Sequence, residues 1–205
     1  MKTKNYKKLG NISGDFYEIE DILNIYKKIS KKKYLLKVDK NTLNDNSDAS
    51  KEIRKRIKLY KSWGYKNNNT SFYQIFDDKY KKTLKKLSSL FNLKKTVSSI
   101  IVQQPGNTLP YHKDTFINFK LKNNLNLNNK NVVRYMIFLD DRKHGHNFEV
   151  ENEIIKNWKK GDIIYWGDNY HMGNNAGSSF KATLNITGIS SRNSLHNSKI
   201  KKLKL

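Results

Sequence analysis

A chain of 205 residues with 36% hydrophobic and 12% aromatic side chains has the bulk for a packed core. It suits one domain, or one domain with an elaborated edge. It contains no cysteine, which excludes disulfides and thiolate metal sites, and no apolar run long enough to span a membrane. The net charge of +23 invites a nucleic-acid reading. However, the excess is carried by Lys, with Arg confined to Arg54, Arg56, Arg134, Arg142 and Arg192, and base readers and phosphate clamps lean on Arg. Lys and Asn in excess together are what an A/T-rich coding sequence produces. The charge is therefore read as composition bias with weak attraction to polyanions, and nucleic acid is not the favoured partner. Met1 to Gly10 is basic with no apolar stretch behind it, unlike a secretory signal, so the expected location is the cytoplasm.

In chain order, residues 1–96 read as a helical portion integrated with the core. Ile19, Ile22, Leu23, Tyr26 and Ile29 recur at helical spacing behind a capping box at Asp15 and Glu18. The polar stretch Asp39 to Ser50 reads as a loop. A second helix is predicted from about Ser50 to Tyr60, with Ile53, Ile57 and Tyr60 on one face. A third is predicted from Ser71, capped with Gln74, with the stripe Phe72, Ile75, Phe76, Tyr80, Leu84, Leu87 and Phe91.

The texture changes near Val97. Residues 97–190 hold short apolar runs: Val97 to Val102, Val132 to Leu139, Asn147 to Val150, Ile154 to Trp158, Ile163 to Trp166 and Phe180 to Ile189. Turn signals separate them, among them Pro105-Gly106-Asn107, Asn123 to Asn131, a hairpin-like Asp140 to Gly145, Lys160-Gly161-Asp162 and Gly173-Asn174-Asn175. Many short strands at close spacing predict a sandwich or barrel. Residues 191–205, Ser191 to Leu205, read as a basic flexible tail, in which His196 has no assigned role.

The chemistry-bearing residues fall in this β half. His112 and Asp114 are i and i+2, so on an extended segment both point to one face. His171 follows the strand Ile163 to Trp166, and Lys181 opens the next. Two imidazoles and one carboxylate can hold a non-haem Fe(II) on one face and leave the other open. A cation beyond them can hold the far end of a diacid co-substrate. Arg134 alternates with apolar neighbours on both faces, so it points toward a core or cavity and needs an anion. That anion is either a structural Asp or Glu, or a carboxylate of the co-substrate or substrate.

An HxD pair is weak alone. Here Gln104-Pro105-Gly106-Asn107 and Pro110-Tyr111 precede it, Arg134 to Leu139 follows, Gly161-Asp162 leads to His171, and Lys181 lies beyond. This combined pattern resembles the Fe(II)/2-oxoglutarate-dependent oxygenases. It looks most like their prolyl 4-hydroxylase-type branch, and is also similar to small oxygenases of marine bacteria and their viruses. The resemblance covers about Val97 to Ile189. It implies a mainly β fold with α, a double-stranded β-helix (jelly-roll) core with N-terminal helices packed on one sheet. It implies His112, Asp114 and His171 as iron ligands, Lys181 on the distal carboxylate of 2-oxoglutarate, and O2 as oxidant. Arg134 is a further candidate for a co-substrate carboxylate. Where the family often has Tyr before the Pro-Gly turn, this chain has Gln104, whose amide can also donate a hydrogen bond.

His144, His146 and Glu151 with His171 are similar to the ligand pattern of cupins, a rival metal set on the same architecture, although His144 reads as an exposed turn residue and His146 as a substrate contact. Glu149, Glu151 and Glu153 read as a solvated hairpin face. A non-catalytic jelly-roll binding module is the alternative to an enzyme. Trp166, Tyr170, Tyr111 and Phe148 are candidates to line the site. Lys61 to Thr70 and Phe116 to Asn131 are candidates to lie over the barrel mouth. The expected substrate is a small molecule or a peptidyl side chain, with a nucleobase a further candidate. Nucleotide-binding loops, thiol chemistry and a hydrolase elbow at Gly177-Ser178-Ser179 are absent.

Overall fold

The computed structural model describes residues 5–13, 20–21, 47–66, 73–76, 81–126, 128, 130–197 and 201–204. Eight strands in sequence wind between two antiparallel sheets. They are β3 (Lys94–Gln103), β4 (Thr108–His112), β5 (Val132–Phe138), β6 (His146–Val150), β7 (Glu153–Ile154), β8 (Asp162–Tyr165), β9 (His171–Asn175) and β10 (Lys181–Ile189). Strands β8, β5, β10 and β3 lie in the major sheet, and β4, β9, β6 and β7 form the minor one. A chain that alternates sheets in this way is a double-stranded β-helix, the jelly roll that the short-strand pattern predicted.

The major sheet is extended at both edges. β1 (Lys7–Ser13) pairs antiparallel with β8, β11 (Lys201–Lys204) pairs parallel with β1, and β2 (Tyr73–Phe76) pairs with β3. The portion that reads as helical thus supplies the strands β1 and β2, and the segment that reads as a tail supplies β11. The predicted third helix is corrected. Its first turn is the strand β2, whose aromatic and β-branched sequence suits an edge position, and the helix itself is α2 (Lys81–Phe91). The second helix is present as α1 (Asp48–Ser62), with Ser47 capping the Ser50 amide. The first predicted helix lies outside the described residues apart from Glu20 and Asp21, which are helical.

Other elements differ from the sequence pattern where tertiary contacts intervene. Of Ile154 to Trp158 only Ile154 is in a strand. Ile155 and Trp158 are instead plugs in the barrel, with Trp158 stacked on Phe138 at 4.2 Å. Gly173-Asn174-Asn175 is strand rather than turn, because β9 is paired on both sides. Asp140 to Gly145 is not a hairpin within one sheet but crosses from β5 in the major sheet to β6 in the minor one. Ser194 is fully buried, and His196 Nδ1 lies 2.6 Å from the Tyr135 hydroxyl, so the expected tail is anchored on the outer face of β5.

Strand alternation divides the core into two layers. Outside the major sheet, Val133, Tyr135 and Ile137 of β5 and Ala182, Leu184 and Ile186 of β10 meet Leu84, Leu87 and Phe91 of α2. Inside the barrel, Met136, Phe138, Phe148, Val150, Ile164 and Trp166 form an apolar layer. The inward positions of β10 are polar instead: Lys181, Thr183, Asn185 and Thr187, all buried. Among the described residues, no helix is long and apolar enough to cross a membrane.

Candidate metal centre

β4 and β9 bring the two histidines face to face. His112 pairs with His171 in register, and a bulge between Leu109 and His112 resets the alternation so that both Leu109 and His112 can pair inward. The proline in that bulge, Pro110, sits on an edge strand where its missing N–H costs no ladder bond. Asp114 follows β4 by two residues. Among the described residues, His112, Asp114 and His171 are the group of metal-binding side chains whose ligand atoms all lie within 4.8 Å of one another.

Their protonation follows from their partners. His112 Nδ1 lies 2.7 Å from the Pro110 carbonyl and His171 Nδ1 lies 3.2 Å from that of Asn169. A carbonyl only accepts, so each Nδ1 donates, and each Nε2 keeps its lone pair for the centre. Burial, with the neighbouring His171 adding to it, pushes the His112 pKa down to about 3. Burial also lowers His171, against the pull of Asp114. Burial alone would raise Asp114, yet the Arg134 charge and the two imidazoles hold its carboxyl below the usual range. The neutral histidines and the anionic aspartate are the forms that bind metal.

One carboxylate oxygen is used and one is not. Asp114 Oδ1 accepts from Arg134 Nη1 at 2.6 Å, while Oδ2 is buried without a hydrogen-bond partner and lies 3.8 Å from His171 Nε2. An anionic oxygen left bare beside two imidazole lone pairs is costly unless a cation occupies the space between them. Two nitrogens and one oxygen, with no sulfur, fit the open triad of a non-haem iron site. Arg134 therefore has a protein carboxylate as its anion. Its Nε donates to Thr187 Oγ1 at 3.0 Å, and its guanidinium lies over Phe116.

The cation at the start of β10 sits deeper. Lys181 Nζ donates to Gln103 Oε1 at 3.0 Å, to the Asn147 carbonyl at 2.5 Å and to the Asn174 carbonyl at 3.4 Å. These acceptors are neutral, and complete burial lowers its pKa to about 7. Gly173 makes the space, since a Cβ there would lie 3.1 Å from Lys181 Nζ. Gly173 is two residues from His171 on β9, about 7 Å along the strand. The amide beside Lys181 is Gln103, not Gln104. Strand alternation puts Gln103 inward, where it also donates to the Gly173 carbonyl at 2.8 Å, while the Gln104 backbone N–H is held by Asn107.

The rival cupin-like set is not assembled. His144 is exposed, and His146 pairs with Asn175 in register while Val150 pairs with His171. His146 is thus four residues, about 13 Å, along the strand from the centre. Its ring faces the Ser179 carbonyl. Glu151 is not simply solvated, because its carboxylate accepts from the Tyr170 amide and the Tyr111 hydroxyl. Of the aromatic candidates, Trp166 and Phe148 flank His171, with ring centroids 4.7 and 5.8 Å away. Tyr111 and Tyr170 stack on each other at 5.1 Å, and Tyr170 is exposed. The Gly161-Asp162 pair is structural. Gly161 has φ +85° and would strike the Ile12 carbonyl with any Cβ, and Asp162 accepts from Lys8, Asn11 and the Lys159 amide.

The sequence reading missed Gln103, Thr187, Asn185 and Arg56. Arg56 reaches from α1 to the Lys113 carbonyl at 3.2 Å. The first three were visible in principle as period-two polar positions within otherwise apolar strands.

Scans against protein-family models and curated proteins find no match. Among solved structures, the chain is similar to a viral collagen prolyl hydroxylase of Paramecium Bursaria Chlorella virus-1 in its 2OG complex. Identity is 16% over 67% of this chain and 90% of that one, with a TM-score of 0.40. It is similar to a cupin protein from Bacteroides fragilis at 15% identity, over 58% of this chain and 78% of the other, with a TM-score of 0.35. It also matches a Photorhabdus luminescens protein at 12% identity and a TM-score of 0.33, over 46% of this chain and 63% of the other, less than two thirds of that protein's length. The double-stranded β-helix is read from the chain's own strand order.

Proposed function

We propose that the chain is an Fe(II)- and 2-oxoglutarate-dependent oxygenase. The observation that carries this reading is the bare Asp114 Oδ2, which faces two imidazoles whose Nε2 lone pairs are fixed by backbone carbonyls. His112, Asp114 and His171 would hold the iron. Bound iron with 2-oxoglutarate and O2 supplies the oxidation, converting the co-substrate to succinate and CO2 as one oxygen atom passes to the substrate.

The chain's own residues would bind, orient and shield. Lys181 is buried among neutral acceptors beside Gly173, which is one inward position along β9 from His171. The distal carboxylate of a five-carbon diacid would give it the anion it lacks, and the Gln103 amide lies beside the same point. In this reading Arg134, whose Nη1 holds Asp114 and whose Nε donates to Thr187, would act by positioning Asp114. Trp166 and Phe148 keep water from one side of His171. The prime substrate, a small molecule or a peptidyl side chain, would enter on the side of Lys113, Phe116 and α1.

Anaerobic titration with Fe(II) and 2-oxoglutarate tests the reading. A metal-to-ligand charge-transfer band and uncoupled succinate are expected from the wild type, and both are expected to vanish in Asp114→Ala and His171→Ala. Absence of both signals from the wild type would leave a non-catalytic jelly-roll module.

A further inference from the structure

Two side-chain atoms among the described residues are buried without a hydrogen-bond partner. One is Asp114 Oδ2, accounted for by a metal. The other is Asn185 Oδ1. A folded chain seldom retains such an atom, because it forfeits its hydration with nothing in return.

Asn185 is 7% exposed and lies in the middle of β10. Its neighbours in sequence, Leu184 and Ile186, face α2. It therefore shares the inward face with Lys181, Thr183 and Thr187. Across the sheet it pairs with Ser99 on one side and Met136 on the other. One inward position on, Thr187 takes the Arg134 Nε that belongs to the Asp114 contact. His112 and His171 lie on the minor sheet and Asp114 follows β4 by two residues, whereas β10 belongs to the major sheet across the barrel. Asn185 stands on that opposing face with an acceptor to spare.

We infer that Asn185 is a positioning residue of the metal centre, its Oδ1 accepting a hydrogen bond from water held on the open side of the metal. The inference rests on the metal-site reading and adds a residue that the triad and the Lys181 anchor do not include. An amide carbonyl can only accept and the protons of metal-held water are strong donors, so the pairing is chemically matched. It also explains why a polar side chain is kept where an apolar one would pack.

Asn185→Leu is close in size and removes the acceptor. Removing an orphaned buried polar atom should raise the melting temperature of the metal-free chain by roughly 2 to 6 °C. The same change should weaken Mn(II) binding, read from the free-ion EPR signal without any turnover, by about tenfold or more. Asn185→Thr, which restores an oxygen acceptor on a strand-compatible side chain, should recover part of that affinity. A merely structural asparagine would change stability and leave Mn(II) affinity alone. Wild-type affinity in Asn185→Leu, or an Asn185→Leu chain that fails to fold, overturns the inference. A wild-type chain that binds no Mn(II) removes the metal reading itself, which is a different failure.

Discussion

Arg134 Nη1 holds Asp114 Oδ1 at 2.6 Å and leaves Oδ2 turned toward His171. With Oδ1 engaged by Arg134, Oδ2 is the oxygen left without a partner for a metal. The pair thus sets which oxygen Asp114 would offer as well as its charge. β5 supplies the arginine and the segment after β4 supplies the aspartate, so the two sheets are tied together at the centre.

Breaking that tie should be costly in two ways. Arg134→Met leaves a buried carboxylate unpaired and is expected to lower stability by about 2 to 3 kcal/mol in urea unfolding. It should also lower metal affinity by roughly tenfold to a hundredfold. The Asp114 pKa is depressed in the folded chain. Its contribution is therefore present above the unfolded carboxyl value and lost as pH falls through the folded one. The acid-unfolding midpoint of Arg134→Met should move upward, and an unchanged midpoint would count against the tie.

As the proposed anchor, Lys181 would make co-substrate binding pH-dependent. Burial places its pKa at about 7, and only the protonated form offers a charge to a carboxylate. Affinity for 2-oxoglutarate should be level below about pH 7 and fall roughly tenfold per unit above it, in anaerobic titrations at saturating Fe(II). The unfolded chain keeps this proton up to about 10.5. The ligand-free fold should therefore gain stability as pH rises from about 7 toward that value. A flat affinity profile from pH 7 to 9 would remove Lys181 as the anchor.

Gly173→Ala tests the cradle directly. The new Cβ would lie 3.1 Å from Lys181 Nζ and 3.3 Å from Phe148 Cδ2. The flexible lysine end would have to give way. The expected result is a dissociation constant for 2-oxoglutarate raised by about tenfold, equivalent to about 1.4 kcal/mol, with Mn(II) affinity unchanged because the triad is untouched.

The histidines predict a level pH profile for metal. An exposed histidine site loses metal as pH falls through about 6.5. Here the His112 pKa is about 3 and that of His171 is also lowered. Mn(II) affinity should therefore stay nearly level from pH 8 to below 6, measured by EPR at constant ionic strength. A tenfold loss between pH 7 and 6 would show that the imidazoles are not shielded as the geometry requires.

Much of the fold and part of the site were legible in the order of residues. Apolar runs between turn signals marked β3, β5, β6, β8 and β10. β5 and β8 are buried on both faces at nearly every position and so read as near-continuous apolar stretches, while β6 and β10 show the two-residue alternation of a strand whose faces differ. The HxD spacing marked His112 and Asp114 as neighbours on one face, because the side-chain period of an extended segment is local geometry. Where sequence reading failed, partners distant in the chain had made the decision. Tyr73–Phe76 carries a helix-like stripe but is a strand because the edge of β3 was open to it. Asn-rich Gly173–Asn175 is a strand because β4 and β6 pair with it from both sides. Lys201–Lys204 pairs with β1, from the other end of the chain.

By itself, then, the sequence determined strand character, the face shared by His112 and Asp114, and the types of ligand available, all of which depend on neighbours within a few residues. Only the tertiary structure decided that His171 stands opposite His112, that Arg134 is satisfied by Asp114, that Gln103 rather than Gln104 meets Lys181, and that Asn185 is buried on the inward face of β10 with a bare oxygen. Register between strands sets these relationships, and register is fixed by how whole faces bury against one another.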